Sequence, residues 1–293
     1  VRQKVERLIQ KYIEQEVSIS FITTVVSRVN DEIIQQAIKL AENKLGIETY
    51  KSIRYCWLAL GSEGREEQLL RTDQDNALIY VHDDSISDIK AKCLLLAKEV
   101  NELLHEVGYE YCPAEMMASN PMWCQSVDEW KQTFHKWIYQ PGEKEIMMST
   151  IFFDYRPVYG DYSLASELTK YIFETIDNQE IFLHLLAKNA LENPAPLSFF
   201  RNFILEKNGE HKDSFDIKLR AMMPLADAAR LLILASRTGG ENNTSKRYLS
   251  LAEIEPQNAE LYRMAADAYE ILNRIRTKHG FKMGDSGRYI QPN

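Results

Sequence analysis

Gly61-Ser62-Glu63-Gly64-Arg65-Glu66-Glu67-Gln68-Leu69-Leu70-Arg71-Thr72-Asp73-Gln74-Asp75 separates two apolar runs of this sequence. The run before it, residues 53–60 (Ile-Arg-Tyr-Cys-Trp-Leu-Ala-Leu), is nearly continuous, the pattern of a strand buried on both faces. The run after it, residues 73–81, opens with Asp-Gln-Asp-Asn and then becomes apolar, which predicts a second strand. The arrangement is therefore Gly-Ser at the end of one strand, ten residues, then Asp-x-Asp at the start of the next.

On a strand, residues i and i+2 point to one face, so Asp73 and Asp75 present two carboxylates side by side. Such a pair repels itself unless cations share it, and a hard divalent ion is the natural occupant. Two ions about 4 Å apart activate an attacking oxygen and stabilise a leaving one. Gly61 lets the backbone approach a phosphate closely. Ser62 offers a hydroxyl and a backbone N–H to phosphate oxygens. The fork of Arg65 suits a triphosphate; the run Glu63, Glu66, Glu67 reads first as a solvated face, with Glu67 or Gln68 only second a contact to the water shell of a bound metal. The bland alternative is a surface turn followed by a solvated strand end. A lone Gly-Ser or Asp-x-Asp deserves that reading; the two together, in order, point to a site. A P-loop is excluded, because no Gly-Lys-Ser/Thr follows, and G-x-G-x-x-G is absent.

Outward from this stretch, the chain of 293 residues carries 35 Lys and Arg against 43 Asp and Glu, a formal net charge of −8. That balance argues against nucleic acid as a partner, whose binding runs on clustered positive charge. Cys56, Cys93, Cys112 and Cys124 form no C-x-x-C pair, and no zinc site is expected. Reduced thiols in apolar runs suit a reducing cytoplasm. No apolar run reaches the length of a membrane span, so no membrane partner is expected.

The periodicity predicts an α+β fold. Residues 1–47 read as an N-terminal helical segment with a break near Ser18–Ser20. Residues 48–161 read as a catalytic domain with a small mixed sheet. Residues 162–293 read as a helical bundle, with helices near 163–176, 178–192, 196–206, 214–237, 246–254 and 257–279. In the catalytic domain, 86–107 is expected to be helix and 109–117 a third strand. Trp123, Val127, Trp130, Phe134 and Trp137 have the spacing of one amphipathic helix. Residues 149–159 suit a strand with Pro157 at an edge or end. A ligand is expected in the cleft between the two larger domains.

Gly-Ser, ten residues, Asp-x-Asp resembles the signature of the DNA polymerase β-like nucleotidyltransferase superfamily. The fuller Gly61-Ser-Glu-Gly-Arg-x-Glu-Gln…Thr-Asp-Gln-Asp-Asn-Ala-Leu-Ile resembles a bacterial branch found with CBS or cyclic-nucleotide-binding sensor domains in signal transduction. That branch is similar to the uridylyltransferase of the nitrogen-signalling protein PII and to glutamine synthetase adenylyltransferase. Cys112-Pro-Ala-Glu-Met-Met-Ala-Ser-Asn-Pro-Met-Trp123, Phe153-Asp-Tyr-Arg-Pro-Val-Tyr-Gly-Asp161, Phe215-Asp-Ile-Lys218 and Asn243-Thr244…Arg247 carry it further, so it covers most of the chain from about residue 20. The resemblance implies a polymerase-β-like catalytic domain followed by a helical substrate-binding domain. It also implies sensor domains preceding Val1, in keeping with a chain that does not begin with Met.

The superfamily needs a third carboxylate on a later strand. Asp154, in the apolar run Phe153–Tyr155, is favoured over Glu115, where the family usually has an uncharged residue. An ion pair of Asp154 with Arg65 or Arg156 is the structural alternative. The implied activity is transfer of a nucleoside monophosphate from an NTP to an acceptor hydroxyl, with a protein tyrosine as the suggested acceptor. Mg²⁺ (or Mn²⁺) is the expected cofactor, held by Asp73, Asp75 and Asp154; Gly61, Ser62, Arg65 and Gln68 are the expected nucleotide-binding residues. The rival reading is a catalytically silent nucleotide-binding module that acts through protein contacts, and a homodimer is left open. Asn120 and Trp123 are weaker candidates at the pocket border. In the helical half, Lys218, Arg220, Arg230, Thr244 and Arg247 are weaker still, with Thr244 first a helix N-cap.

Overall fold

The computed structural model describes residues 2–70, 73–177, 179–194, 196–199 and 201–291. Arg71 and Thr72 of the Gly-Ser…Asp-x-Asp stretch lie outside the described residues, as do Val1, Asn293, and Asn178 and Phe200 of two expected helices. The chain runs through α1 (Arg2–Glu14), α2 (Ile19–Leu45), α3 (Ile47–Lys51), β1 (Tyr55–Ala59), α4 (Gly61–Gly64), β2 (Asn76–Tyr80), α5 (Ile89–Glu106), β3 (Cys124–Ser126), α6 (Val127–Tyr139), α7 (Glu143–Phe152), β4 (Arg156–Gly160) and α8 (Tyr162–Ile176). There follow α9 (Glu180–Leu191), β5 (Phe215–Asp216), a π-helical turn (Lys218–Met222), α10 (Met223–Ala235), α11 (Thr244–Ile254), a 3-10 turn (Pro256–Asn258), α12 (Ala259–Met283) and β6 (Tyr289–Ile290). No helix among the described residues is long and apolar enough to cross a membrane. Two compact units form: Val1–Val5 with Thr23–Glu180, and Glu6–Ile22 with Ile181–Asn293.

The first unit is built on a four-stranded mixed sheet in the order β3-β2-β1-β4. β1 is antiparallel to β2 and β4, while β3 is parallel to β2. Tyr55, Trp57, Ala59, Leu78, Tyr80, Cys124 and Val158 pack with Ile34, Ile38 and Ala41 of α2 and Leu96, Val100 and Leu104 of α5 in one core. α6 and α8 pack on the sheet as well, and Trp130 Nε1 donates to the Leu78 carbonyl at 3.2 Å. Every residue of β1 and β2 is buried, which is why both strands read as unbroken apolar runs.

Several boundaries differ from the sequence reading. Tyr109–Met117 is not a strand: only Glu110 bridges to Asp73, and the chain then turns. Pro113 has no N–H to give a ladder, and Glu115 adopts φ 54. The third strand is instead Cys124–Ser126. Ser126 and Glu129 form a capping box, so α6 starts at Val127 and Trp123 stands outside it. The run 149–159 is divided between the end of α7, a turn and β4. β4 is an edge strand, and Pro157 sits on it opposite Leu58 beside a register shift, as the edge expectation requires.

In the second unit, the expected helix 196–206 is absent among the described residues. Leu197 and Phe203 form an isolated antiparallel bridge, and Pro194 and Pro196 oppose helix there. Phe215–Asp216 pairs with Tyr289–Ile290 rather than opening a helix. Ala229, Ile233, Tyr248, Leu251, Tyr262 and Ala266 form the core between α10, α11 and α12.

Candidate active site

The β1–β2 ladder runs from Tyr55↔Tyr80 to Ala59↔Asn76. It continues one rung further, where Leu60 N–H donates to the Asp75 carbonyl at 2.9 Å. Gly-Ser and Asp-x-Asp therefore leave the sheet at the same rim. Gly61 turns the chain with φ 55 into the single turn α4. A Cβ on Gly61 would stand 3.1 Å from Asp75 Oδ2, so this carboxylate lies directly against the glycine.

Residues 73–76 keep the alternation of a strand before the strand begins. Asp73 is exposed and Asp75 half-buried, while Gln74 and Asn76 are buried. Gln74 Nε2 donates to the carbonyls of Asn101 and Tyr109, both at 3.1 Å. Asn101 Nδ2 donates back to Gln74 Oε1 at 2.8 Å and to Asn76 Oδ1 at 3.1 Å. These amides fix the buried side of the segment and leave its acids on the other. Gln68 is part of the same support: its Nε2 donates to the Asp73 carbonyl at 3.4 Å, and its Oε1 accepts from Asn30 at 3.2 Å.

Arg65 is held by two acids. Its Nε donates to Glu67 Oε2 and its Nη1 to Asp154 Oδ2, each at 2.8 Å. Asp154 is 0% exposed, on the turn between α7 and β4. A Cβ on Gly64 would stand 2.0 Å from the Asp154 carbonyl oxygen, so only glycine allows α4 to pack on that turn. Arg156, next on β4, forms a two-pronged pair with Asp31 of α2 at 2.8 and 2.7 Å. Burial lowers the Arg156 pKa, but Asp31 outweighs it and the guanidinium is held above its ordinary value. Among the described residues, no three His, Cys, Asp or Glu side chains gather as one metal-holding group, and Asp154 is not brought together with Asp73 and Asp75.

Sequence reasoning missed Cys112. Burial first, and the nearby Asp75 carboxylate second, push this thiol up to about 11. It sits at the start of the turn whose Met116 carbonyl accepts from Asn76 N–H at 2.9 Å. The Asp-x-Asp-Asn pattern held a signal for Gln74 and Asn76, two polar residues at inward strand positions. Nothing local pointed to Cys112, which is brought in by the turn. Glu115 is exposed; its carbonyl accepts from Trp123 Nε1 at 3.0 Å and from Asn120 Nδ2 at 3.2 Å. In the second unit, Arg230 pairs with Asp227 at 2.6 Å and Arg220 with Glu206 at 3.1 Å. The N-cap of α11 is Asn243, whose side chain accepts from Lys246 N–H, and Thr244 is the first helical residue.

The rim thus combines a tight glycine turn, a serine and two acids on one side of an extended segment. Residues 3–144 match the family described as "Putative nucleotidyltransferase DUF294". Residues 180–293 match the "Putative nucleotidyltransferase substrate binding domain". No curated protein matches the sequence. With both parts of the family's architecture present in order over most of its length, the chain belongs to the DUF294 nucleotidyltransferase family.

Proposed function

We propose that the rim formed by Gly61, Ser62, Asp73 and Asp75 transfers a nucleoside monophosphate from an NTP to an acceptor hydroxyl. The observation that carries this reading is Asp75 Oδ2 lying against Gly61, with Asp73 on the same open side. A carboxylate beside a glycine turn repels a triphosphate unless a cation lies between them. Two carboxylates suit Mg²⁺ or Mn²⁺, because a hard ion of this kind takes one or two carboxylates and fills its shell with water and phosphate oxygens. When bound, the ion supplies positive charge to the phosphates.

The protein's own groups do the remainder. Gly61 lets the chain pass close to the phosphates, and Ser62 presents its hydroxyl and N–H to them. Gln68 supports the main chain of Asp73 and acts on the nucleotide only through it. Asp154 and Glu67 orient Arg65, which stiffens the loop and tempers the acidity of the rim; in this reading Asp154 is a positioning residue rather than a metal ligand. In the reaction, the acceptor oxygen bonds to the α-phosphorus. The bond from that phosphorus to the α,β-bridging oxygen breaks, pyrophosphate leaves with the electron pair, and the acceptor proton passes to solvent. A protein hydroxyl, in particular a tyrosine of a signalling protein, is the proposed acceptor, on the sequence resemblance alone.

The test is incubation of the purified chain with α-labelled ATP or UTP and a cell lysate, with and without Mg²⁺. A magnesium-dependent labelled product that Asp75→Asn abolishes is expected. Nucleotide binding with no labelled product and no pyrophosphate release would assign the site to nucleotide sensing instead.

A further inference from the structure

α12 buries Tyr262, Ala266, Tyr269, Asn273 and Thr277 in its own unit. Its opposite flank leaves Leu261, Met264, Ile271 and Ile275 exposed at 64, 63, 59 and 44%. With half-buried Ala268, these residues fall at spacings of three, four, three and four, the a/d seam of a two-helix pairing. The next two seam positions are Lys278 and Lys282. Beside the seam stand Asp267 and Arg274, one heptad apart. Arg274 gives Nη2 to the Val17 carbonyl at 2.6 Å, and among the described residues neither has an ion-pair partner in its own chain. Ile19, Asp267, Glu270, Ile271 and Arg274 line a cavity of about 330 Å³ along this edge, room for incoming side chains.

We propose that this face pairs with the same face of a second copy, helix against helix and antiparallel. In that register Ala268 meets Ile271 of the second copy, Met264 meets Ile275, and Leu261 meets the aliphatic stem of Lys278. Asp267 then stands beside Arg274 of the second copy, and the two-fold axis makes the contact twice. The parallel alternative stacks Lys278 on Lys278 and Lys282 on Lys282, and sets Asp267 against Leu272. Charge therefore selects both the occupant and its direction. The seam covers on the order of 1,000 Å² across both copies, near the lower limit for a specific interface, so the dimer is reversible.

Sedimentation velocity of the full chain over a micromolar concentration series tests this. A concentration-dependent dimer is expected, weakened at least tenfold by Ile271→Glu and by Asp267→Arg, with Asp267→Arg/Arg274→Asp restoring it. Ile271 is exposed, and a melting curve matching the parent shows that its variant folds. Direction is read by oxidative cross-linking: a mixture of Met264→Cys and Ile275→Cys chains is expected to cross-link, and Met264→Cys alone is not. A chain monomeric at high micromolar concentration would assign the face to a different protein and overturn the proposal. So would a dimer indifferent to Ile271→Glu, or one cross-linked through Met264→Cys alone. None of these residues belongs to the proposed nucleotide site, so the outcome is independent of it.

Discussion

Replacing Gly61 with alanine places one methyl group where two constraints meet. The backbone there has φ 55, a left-handed conformation that costs an L side chain about 1–2 kcal/mol. The added carbon would also stand 3.1 Å from Asp75 Oδ2, closer than ordinary van der Waals contact, so the carboxylate must swing away or the turn must open. For a unit of this size the backbone cost lowers the melting temperature by roughly 2–8 °C. Displacing Asp75 removes an ionic contact worth about 1.5–3 kcal/mol, so magnesium-dependent NTP affinity falls by roughly tenfold or more. Gly209→Ala is the control: φ is 81 there and nothing lies within 4 Å of the added carbon. It carries the backbone cost without the steric one and leaves nucleotide affinity unchanged. Calorimetric titration with Mg·NTP and differential scanning calorimetry on both variants separate the effects. If Gly61→Ala lowers the melting temperature like Gly209→Ala yet binds Mg·NTP like the parent, the contact with Asp75 has no role in binding and the reasoning fails.

Asp154→Ala breaks a buried pair but leaves Glu67 facing Arg65, so a loss of about 3 kcal/mol in urea denaturation is expected. A stability near that of the parent, with NTP binding abolished, would make Asp154 a ligand rather than a support. Glu115→Gly removes a side chain from a φ of 54 and should raise stability by about 1 kcal/mol, read as a higher melting temperature. Glu129 has its pKa lowered: burial opposes the shift, but Lys90 and the capped Ser126 N–H outweigh it. Its folded pKa lies below the unfolded value, so its contribution is complete above the unfolded pKa of about 4.5 and is lost as pH falls through the folded one. Solvent screening keeps that contribution below about 1 kcal/mol, and Lys90→Ala should flatten the acid limb of the stability profile.

The rim was legible in the sequence because its signals are local. An unbroken apolar run announces a strand covered on both faces, and Gly61 announces a turn. The sequence Asp-Gln-Asp-Asn already contains the alternation that puts two acids on one side. What was illegible depends on distant partners. Arg65 meets Asp154 across 89 residues, and Arg156 meets Asp31 across 125. Either arginine was an equal candidate for Asp154 until the fold set Gly64 against the Asp154 backbone. The misplaced third strand has a different cause. Tyr109–Met117 has strand-like composition, but Pro113 and the left-handed Glu115 stop the ladder after one bridge. The strand passes to Cys124–Ser126, too short for its own period to show. Trp123 shares the helical spacing of Trp130 and Trp137, but the Ser126–Glu129 capping box three residues on starts the helix after it.

In the proposed site, Asp73 and Asp75 act together to seat a cation with a nucleotide's phosphates. Calorimetric titration of NTP into the parent chain and into Asp75→Asn, with and without Mg²⁺, measures it most directly. Binding by the parent is expected to strengthen at least tenfold with Mg²⁺, and the variant to lose that gain while keeping its melting temperature. Equal, magnesium-independent affinities in both chains would contradict it.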